Sequence, residues 1–166
     1  MVKAKDKVMK RIAIYDMDGT IVCSLHRYRT IIDNGSERID LDYWRANEYR
    51  ALDDSLLPLA EQYKNDLDDP YCIVVIATAR ILRNADRAFI YSRLGTPDHI
   101  VSRNENDNRS GATLKIEGLK RIFKLYSNLG YHFNDAVFYE DNVAYLKAVC
   151  DYFNIRGVYV PSKQGH

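Results

Sequence analysis

The apolar run Ile12-Ala13-Ile14-Tyr15 breaks off into Asp16-Met17-Asp18-Gly19-Thr20, and this junction constrains the fold more than any other stretch. Apolar residues in succession, bounded by carboxylates, read as a strand buried on both faces. Such a strand lies in the middle of a parallel sheet and delivers its polar residues at its C-terminal end. Side chains alternate along an extended chain, so Asp16 and Asp18 point one way and Met17 the other. Gly19 lets the chain turn sharply after them. Two carboxylates this close raise each other's pKa unless a cation lies beside them. A hard divalent ion with oxygen ligands, Mg2+ first among them, answers that need. The plainer alternative is a strand that ends in a polar turn, which Asp and Gly also build.

The rest of the chain repeats the alternation of strand and helix. Cys72-Ile73-Val74-Val75-Ile76-Ala77 is a second buried run, and it delivers Thr78 and Arg80. His99-Ile100-Val101 is a weaker third strand, Ala136 to Tyr139 a fourth that delivers Glu140 and Asp141, and Gly157 to Val160 a fifth. Between them, Asp53 and Asp54 are placed to cap a helix through about Leu67, and a second helix spans Leu82 to Leu94 before Gly95 and Pro97. A third, from about Thr113 to Leu129, carries Leu119, Ile122, Phe123 and Tyr126 on one stripe, and a last helix carries Val143, Leu146, Val149, Cys150 and Phe153. This order predicts an α/β protein with a five-stranded parallel sheet, right-handed crossovers and helices on both faces. Ligands of such sheets sit beyond the C-terminal strand ends, where three of these strands deposit polar groups.

Residues 23–50 are too short to form a core of their own and read as a small flap over that site. Within it, Asp40 to Tyr49 has the makings of a short helix with Leu41, Trp44 and Tyr49. Trp44 is able to stack on a base, although packing is the expected use of an aromatic residue. Residues 1–10 read as a basic, poorly ordered arm ahead of the first strand.

With 166 residues and no repeat, the chain fits one domain, 1–166. A formal charge of +1 argues against a broad nucleic-acid footprint but leaves room for a strand end or a single nucleotide. Cys23, Cys72 and Cys150 are widely spaced and read as reduced thiols rather than a disulfide framework or zinc site, and His26, His99 and His132 lack metal-ligand spacing. No apolar run approaches the roughly 20 residues of a membrane span, and Met1 to Lys10 lacks the apolar core of a signal peptide. A cytoplasmic location is the expectation.

Among the lysines, helical geometry singles out Lys115. It precedes Leu119 by four residues and Ile122 by seven, so it projects from the buried stripe near the helix start, whereas Lys120 and Lys124 lie on another face. An ammonium facing inward must be paired, and Asp16 or Asp141 would pair it.

Asp16-Met17-Asp18-Gly19-Thr20 resembles the first motif of the haloacid dehalogenase superfamily of phosphotransferases. Thr78, Lys115 and the pair Glu140-Asp141 match its three later motifs in order. The resemblance implies a Rossmann-like three-layer fold with a cap insertion. It also implies the roles: Asp16 as nucleophile, Asp18 as general acid and base, Thr78 and Lys115 as holders of the phosphoryl group, and Mg2+ bound by Asp16, the Asp18 carbonyl and Asp141, with Glu140 as second candidate. The chain is also similar to the phosphatase module of bacteriophage-type polynucleotide kinase-phosphatases. Arg27 keeps that module's distance from Asp16, Thr78-Ala79-Arg80 matches its second motif, and Arg103 with Asn106-Asp107-Asn108-Arg109 matches a loop ahead of the lysine. Arg27, Arg80 and Arg109 are thereby expected to bind substrate, since guanidinium groups fork onto phosphate oxygens. At Gly111 the module has an acid instead, which leaves the shared substrate open.

The expected function is a Mg2+-dependent phosphomonoesterase working through an aspartyl phosphate. Its expected substrate is a phosphorylated nucleic-acid end or nucleotide, with the 3'-end favoured. The alternatives are a 5'-nucleotidase or small-metabolite phosphatase, and a non-catalytic module that binds nucleic-acid ends or a protein.

Overall fold

The computed structural model describes residues 8–27 and 29–161. In chain order these form β1 (Val8–Tyr15), β2 (Val22–Cys23), β3 (Thr30–Asp33), β4 (Ser36–Ile39), α1 (Leu41–Ala46), β5 (Ser55–Leu56), α2 (Ala60–Asp68) and β6 (Cys72–Ala77). Then come α3 (Asn84–Phe89), β7 (His99–Val101), α4 (Gly111–Asn128), β8 (Tyr131–Glu140), α5 (Val143–Phe153) and β9 (Arg156–Tyr159). Five strands make one sheet in the order β7-β6-β1-β8-β9, and every pairing within it is parallel. The expected α/β architecture with a five-stranded parallel sheet is the one observed.

β1 is central because its apolar run has no polar face to give to water: Ile12 to Tyr15 are all fully buried. Its alternating side chains supply two cores. Ala13, Tyr15 and Met17 pack with Tyr63 of α2 and Phe89 of α3 on one face of the sheet. Ile12 and Ile14 pack with Leu119 and Ile122 of α4 and Val149 of α5 on the other. Asp16 continues the second set, so its carboxylate emerges on the α4 side.

Several boundaries differ from the sequence expectation. Val8 to Lys10 belong to β1, paired with Tyr131 to Phe133, because β8 runs ten residues and offers partners that far back; the rest of the expected arm, 1–7, lies outside the described residues. Asp53 and Asp54 do not start the helix that runs toward Leu67; they close a 3-10 turn at Glu48–Asp53 instead. Asp54 is spent on Arg27, Ser55 and Leu56 pair antiparallel with Cys23 and Val22, and α2 starts only at Ala60. The β2/β5 ribbon thus closes the flap at Leu56 rather than near residue 50. Within the flap lie the β3/β4 hairpin, turned by Asn34 and Gly35 at positive φ, and α1, capped by Asp40. The helix expected at 82–94 starts at Asn84, where the Arg83 backbone N–H donates to Asp86, and ends in a wide π-type turn at Ile90–Leu94 before Gly95 at φ +98°. No helix among the described residues is long and apolar enough to cross a membrane.

Candidate active site

The C-terminal ends of β1, β6 and β8 open into a cleft of about 570 Å³, roofed on one side by α1 of the flap. Asp16 directly follows β1, its N–H still bonded to the Tyr139 carbonyl at 3.0 Å, so the last rung of the sheet fixes its backbone. The chain then folds tightly: the Met17 carbonyl accepts from the N–H groups of Thr20, Ile21 and Val22, and Gly19 takes φ +79°. Thr20 Oγ1 donates to Asp16 Oδ2 at 3.0 Å, and Ser24 Oγ donates to Asp18 Oδ1 at 3.1 Å.

Lys115 lies on the second turn of α4, whose start is capped by Ser110. Its Nζ donates to Asp16 Oδ1 at 2.9 Å and to Glu140 Oε2 at 2.6 Å, entirely buried. Burial opposes the ammonium charge, but Asp16 and Glu140 together outweigh it and push the Lys115 pKa up. Burial also works against the Asp16 carboxylate, yet the Lys115 charge and the bonds around it hold its pKa below the ordinary value. Glu140 is pushed up to about 7 by burial and then by Asp16, while Asp141 is pushed up to about 10 by burial and by the crowding of Asp16 and Glu140.

Three carboxylates here face one ammonium, an excess equal to the charge of one divalent cation. Asp16, Glu140 and Asp141 can present oxygens within 4.8 Å of one another. Glu140 is already committed, with Oε2 on Lys115 and Oε1 accepting from the backbone N–H groups of Asp141 and Asn142. Asp141 is buried, and among the described residues no group donates a hydrogen bond to either of its oxygens. An orphaned buried carboxylate beside two others fits a hard cation with oxygen ligands, so the residues present suit Mg2+. Asp141 is the better-placed ligand and Glu140 the poorer one, since its oxygens serve to hold Lys115 and the start of α5.

Thr78 follows β6 and lines the cleft, its Oγ1 accepting from the Arg80 N–H at 3.3 Å. Arg80 also lines it, but its guanidinium faces protein acids: Nε lies 3.1 Å from Asp18 Oδ2 and Nη1 3.1 Å from Asp86 Oδ1. Arg109 is at the rim, half-exposed and forked onto Asp107. Arg103 builds that loop by donating to the carbonyls of Ala79, Asp107 and Arg109. Arg27 does not line the cleft. It is fully buried, forked onto Asp54 at 2.9 Å for each bond, and lies 3.6 Å from Asp86. The structure therefore brings together Asp16, Asp18, Thr78, Arg80, Arg109, Lys115, Glu140 and Asp141, and sets Arg27 behind them.

The model of the bacteriophage T5 5'-deoxynucleotidase family matches residues 1–148, most of the chain. The chain belongs to that family. The 5'-deoxynucleotidase of Escherichia phage T5 is 28% identical over 85 residues, which is 49% of this chain and 34% of that protein, so the match spans about a third of the relative's length. Solved structures share the fold at low identity. One is a chain of the Pnkp1/Rnl/Hen1 RNA repair complex, with TM-score 0.59 and 18% identity over 95% of this chain and 44% of that one. Another is a haloacid dehalogenase-like hydrolase of Streptococcus pneumoniae, with TM-score 0.57 and 12% identity over 93% of this chain and 88% of that one. The HAD domain of the effector Lem4 of Legionella pneumophila gives TM-score 0.56 and 14% identity over 96% and 89%. The fold is thus the haloacid dehalogenase-like one.

This member of the T5 5'-deoxynucleotidase family also has site residues that pattern reading passed over. Tyr145 lines the cleft with its ring centroid 5.3 Å from Lys115 Nζ. A Cβ on Gly111 would meet the Tyr145 ring at 2.5 Å, so the missing side chain at 111 is what admits the tyrosine. Asn142, which caps α5 through the Tyr145 N–H, was signalled by its place after Glu140-Asp141. Asp54 was not read as a partner of Arg27, because the two are 27 residues apart in the chain.

Proposed function

We propose that this protein is a phosphomonoesterase that removes the 5'-phosphate from deoxynucleoside monophosphates. The observation that carries the reading is the buried Lys115 ammonium bridging Asp16 and Glu140 beside the bare Asp141 carboxylate, in a chain matched along most of its length to a 5'-deoxynucleotidase family. With a divalent cation held beside Asp141, such a centre would offer a dianionic phosphate two positive groups, the metal and Lys115. The cleft also has the volume of a small-ligand pocket, with apolar Ile39, Leu41 and Trp44 opposite the charged floor.

In this reading an oxygen of Asp16 attacks phosphorus in line, forming an acyl phosphate as the ester P–O bond breaks. Asp18 gives its proton to the leaving 5'-oxygen, then takes one from the water that attacks the acyl phosphate and frees Asp16 and inorganic phosphate. Ser24 and Arg80 hold the Asp18 carboxylate from two sides. Thr78 offers a hydroxyl proton and Lys115 a charge to the transferring group, both fixed before substrate arrives. Mg2+ held by Asp16, the Asp18 carbonyl and Asp141 would neutralise charge on the phosphoryl oxygens.

The polynucleotide 3'-phosphatase reading draws on the motif resemblance of Arg80 and Arg103 and predicts a different substrate order. Phosphate release in Mg2+ from dAMP, from 3'- and 5'-phosphorylated oligonucleotides and from sugar phosphates separates the readings, with Asp16→Asn as the inactive control. Preference for dAMP supports the nucleotidase. Preference for 3'-ends replaces it, and an active Asp16→Asn removes the mechanism.

A further inference from the structure

We propose that Trp44 is the platform on which the substrate's nucleobase stacks, held in place from behind by the buried Arg27/Asp54 pair. The inference deepens the nucleotidase reading and rests on it.

Trp44 stands on α1 and lines the cleft that also contains Asp16, Thr78 and Lys115, so a ligand phosphorylated at the floor extends toward the flap. A tryptophan whose task was packing would join an apolar core. Among the described residues, Trp44 belongs to neither apolar core. Two cations lie over its ring: the Arg27 guanidinium carbon is 4.2 Å from the ring centroid and that of Arg80 is 5.5 Å away. Arg27 is fully buried and pinned by two bonds to one carboxylate, so the indole rests on a planar group that cannot swing away.

A flat ring fixed from behind and facing a cleft is preorganised for stacking, and the ordering cost is met before the ligand binds. Every base has a π face, so such a platform confers preference for nucleotides over bare sugar phosphates with little choice among bases. This also assigns Arg27 a task that does not require it to reach phosphate. It acts as a positioning residue for Trp44.

Trp44 is the one tryptophan of the chain, so intrinsic fluorescence reports on it directly. The first test titrates the full-length Asp16→Asn protein with dAMP, 2-deoxyribose 5-phosphate and inorganic phosphate. Saturable quenching by dAMP, absent with the other two, is expected. Binding of dAMP seen by calorimetry with the Trp44 emission unmoved overturns the platform. A short 5'-phosphorylated oligonucleotide added alongside shows whether the stacked base comes from a free nucleotide or a strand end, according to which quenches at lower concentration.

The second test compares kcat/KM for dAMP and 2-deoxyribose 5-phosphate, which share the scissile ester and differ by the base. In Trp44→Ala the ratio should fall about tenfold through the KM for dAMP, and Trp44→Phe should recover most of it. An unchanged ratio in Trp44→Ala overturns the proposal. Quenching by dAMP in a protein that hydrolyses neither compound would leave the platform standing and remove the nucleotidase reading, so the two fail separately.

Discussion

Lys115 and Asp16 are 99 residues apart in the chain and 2.9 Å apart in the structure. Their contact closes the sheet's central strand onto the first turns of α4, and Glu140 completes it from β8 at 2.6 Å. One ammonium thus ties three elements together at the point where their carboxylates would otherwise repel.

That crowding makes Asp141 a stability liability in the metal-free protein. Burial and its neighbours push its pKa up to about 10. Asp141→Asn should therefore hold or raise Tm without metal; Mg2+ well above its Kd should raise the Tm of the wild type by several degrees, roughly, and leave that of the variant unchanged. Thermal melts of both proteins with Mg2+ and with a chelator check this, and a variant that still gains stability from Mg2+ would move the ligand role elsewhere.

Arg27 and Asp54 form a fully buried pair, so removing the guanidinium leaves the Asp54 carboxylate with His26, 3.4 Å away, in place of a forked cation. Arg27→Met should cost about 3–5 kcal/mol, and adding Asp54→Leu should recover most of that because both charges are then gone. Urea midpoints of the single and double variants decide the point; equal losses in both would mean that the pair is not the unit.

Gly111 and Tyr145 occupy one another's space. Gly111→Ala should destabilise by about 1–2 kcal/mol, since a Cβ would sit 2.5 Å from the ring, and should raise KM by shifting a cleft residue. In a Tyr145→Ala background the same change should be close to neutral, a coupling that a double-mutant cycle measures directly.

Burial raises the pKa of Tyr15, Tyr63, Tyr126 and Tyr139. In the unfolded chain these phenols lose their protons near the ordinary value of about 10, whereas the native state keeps them. The native state then binds more protons, so this contribution to stability is complete below pH about 10 and lost as the pH rises beyond it. Tm should fall by about 5 °C or more between pH about 8 and about 10.5. Tyr15→Phe should weaken that dependence, at a cost of ~1 kcal/mol at neutral pH for its bond to Asp66. Melts followed by circular dichroism across the range test both statements.

Much of this was legible in the order of residues. Apolar runs with no polar alternation, at 12–15 and 72–77, admit only a strand covered on both faces, and helices between such strands leave a parallel sheet as the economical arrangement. Strand polarity then places Asp16, Thr78 and Glu140-Asp141 at one end. The helical repeat from Lys115 to Leu119 and Ile122 was enough to turn that lysine inward. The flap was less legible, because its strands are two to four residues long and its order comes from ion pairs such as those of Arg27 and Arg29 with Asp54 and Asp40.

By itself, then, the sequence determined the α/β class, the sheet's direction and the side chains delivered to its C-terminal edge, since backbone periodicity is a local property and burial follows from it. Only the tertiary structure decided how the cations were divided. It placed Lys115 between two acids, turned Arg80 onto Asp18 and Asp86, and buried Arg27 against Asp54 behind Trp44. A guanidinium looks the same in a sequence whether it awaits a phosphate or neutralises a carboxylate. Which of these it does depends on the charges that folding brings within a few ångströms, and those come from distant parts of the chain.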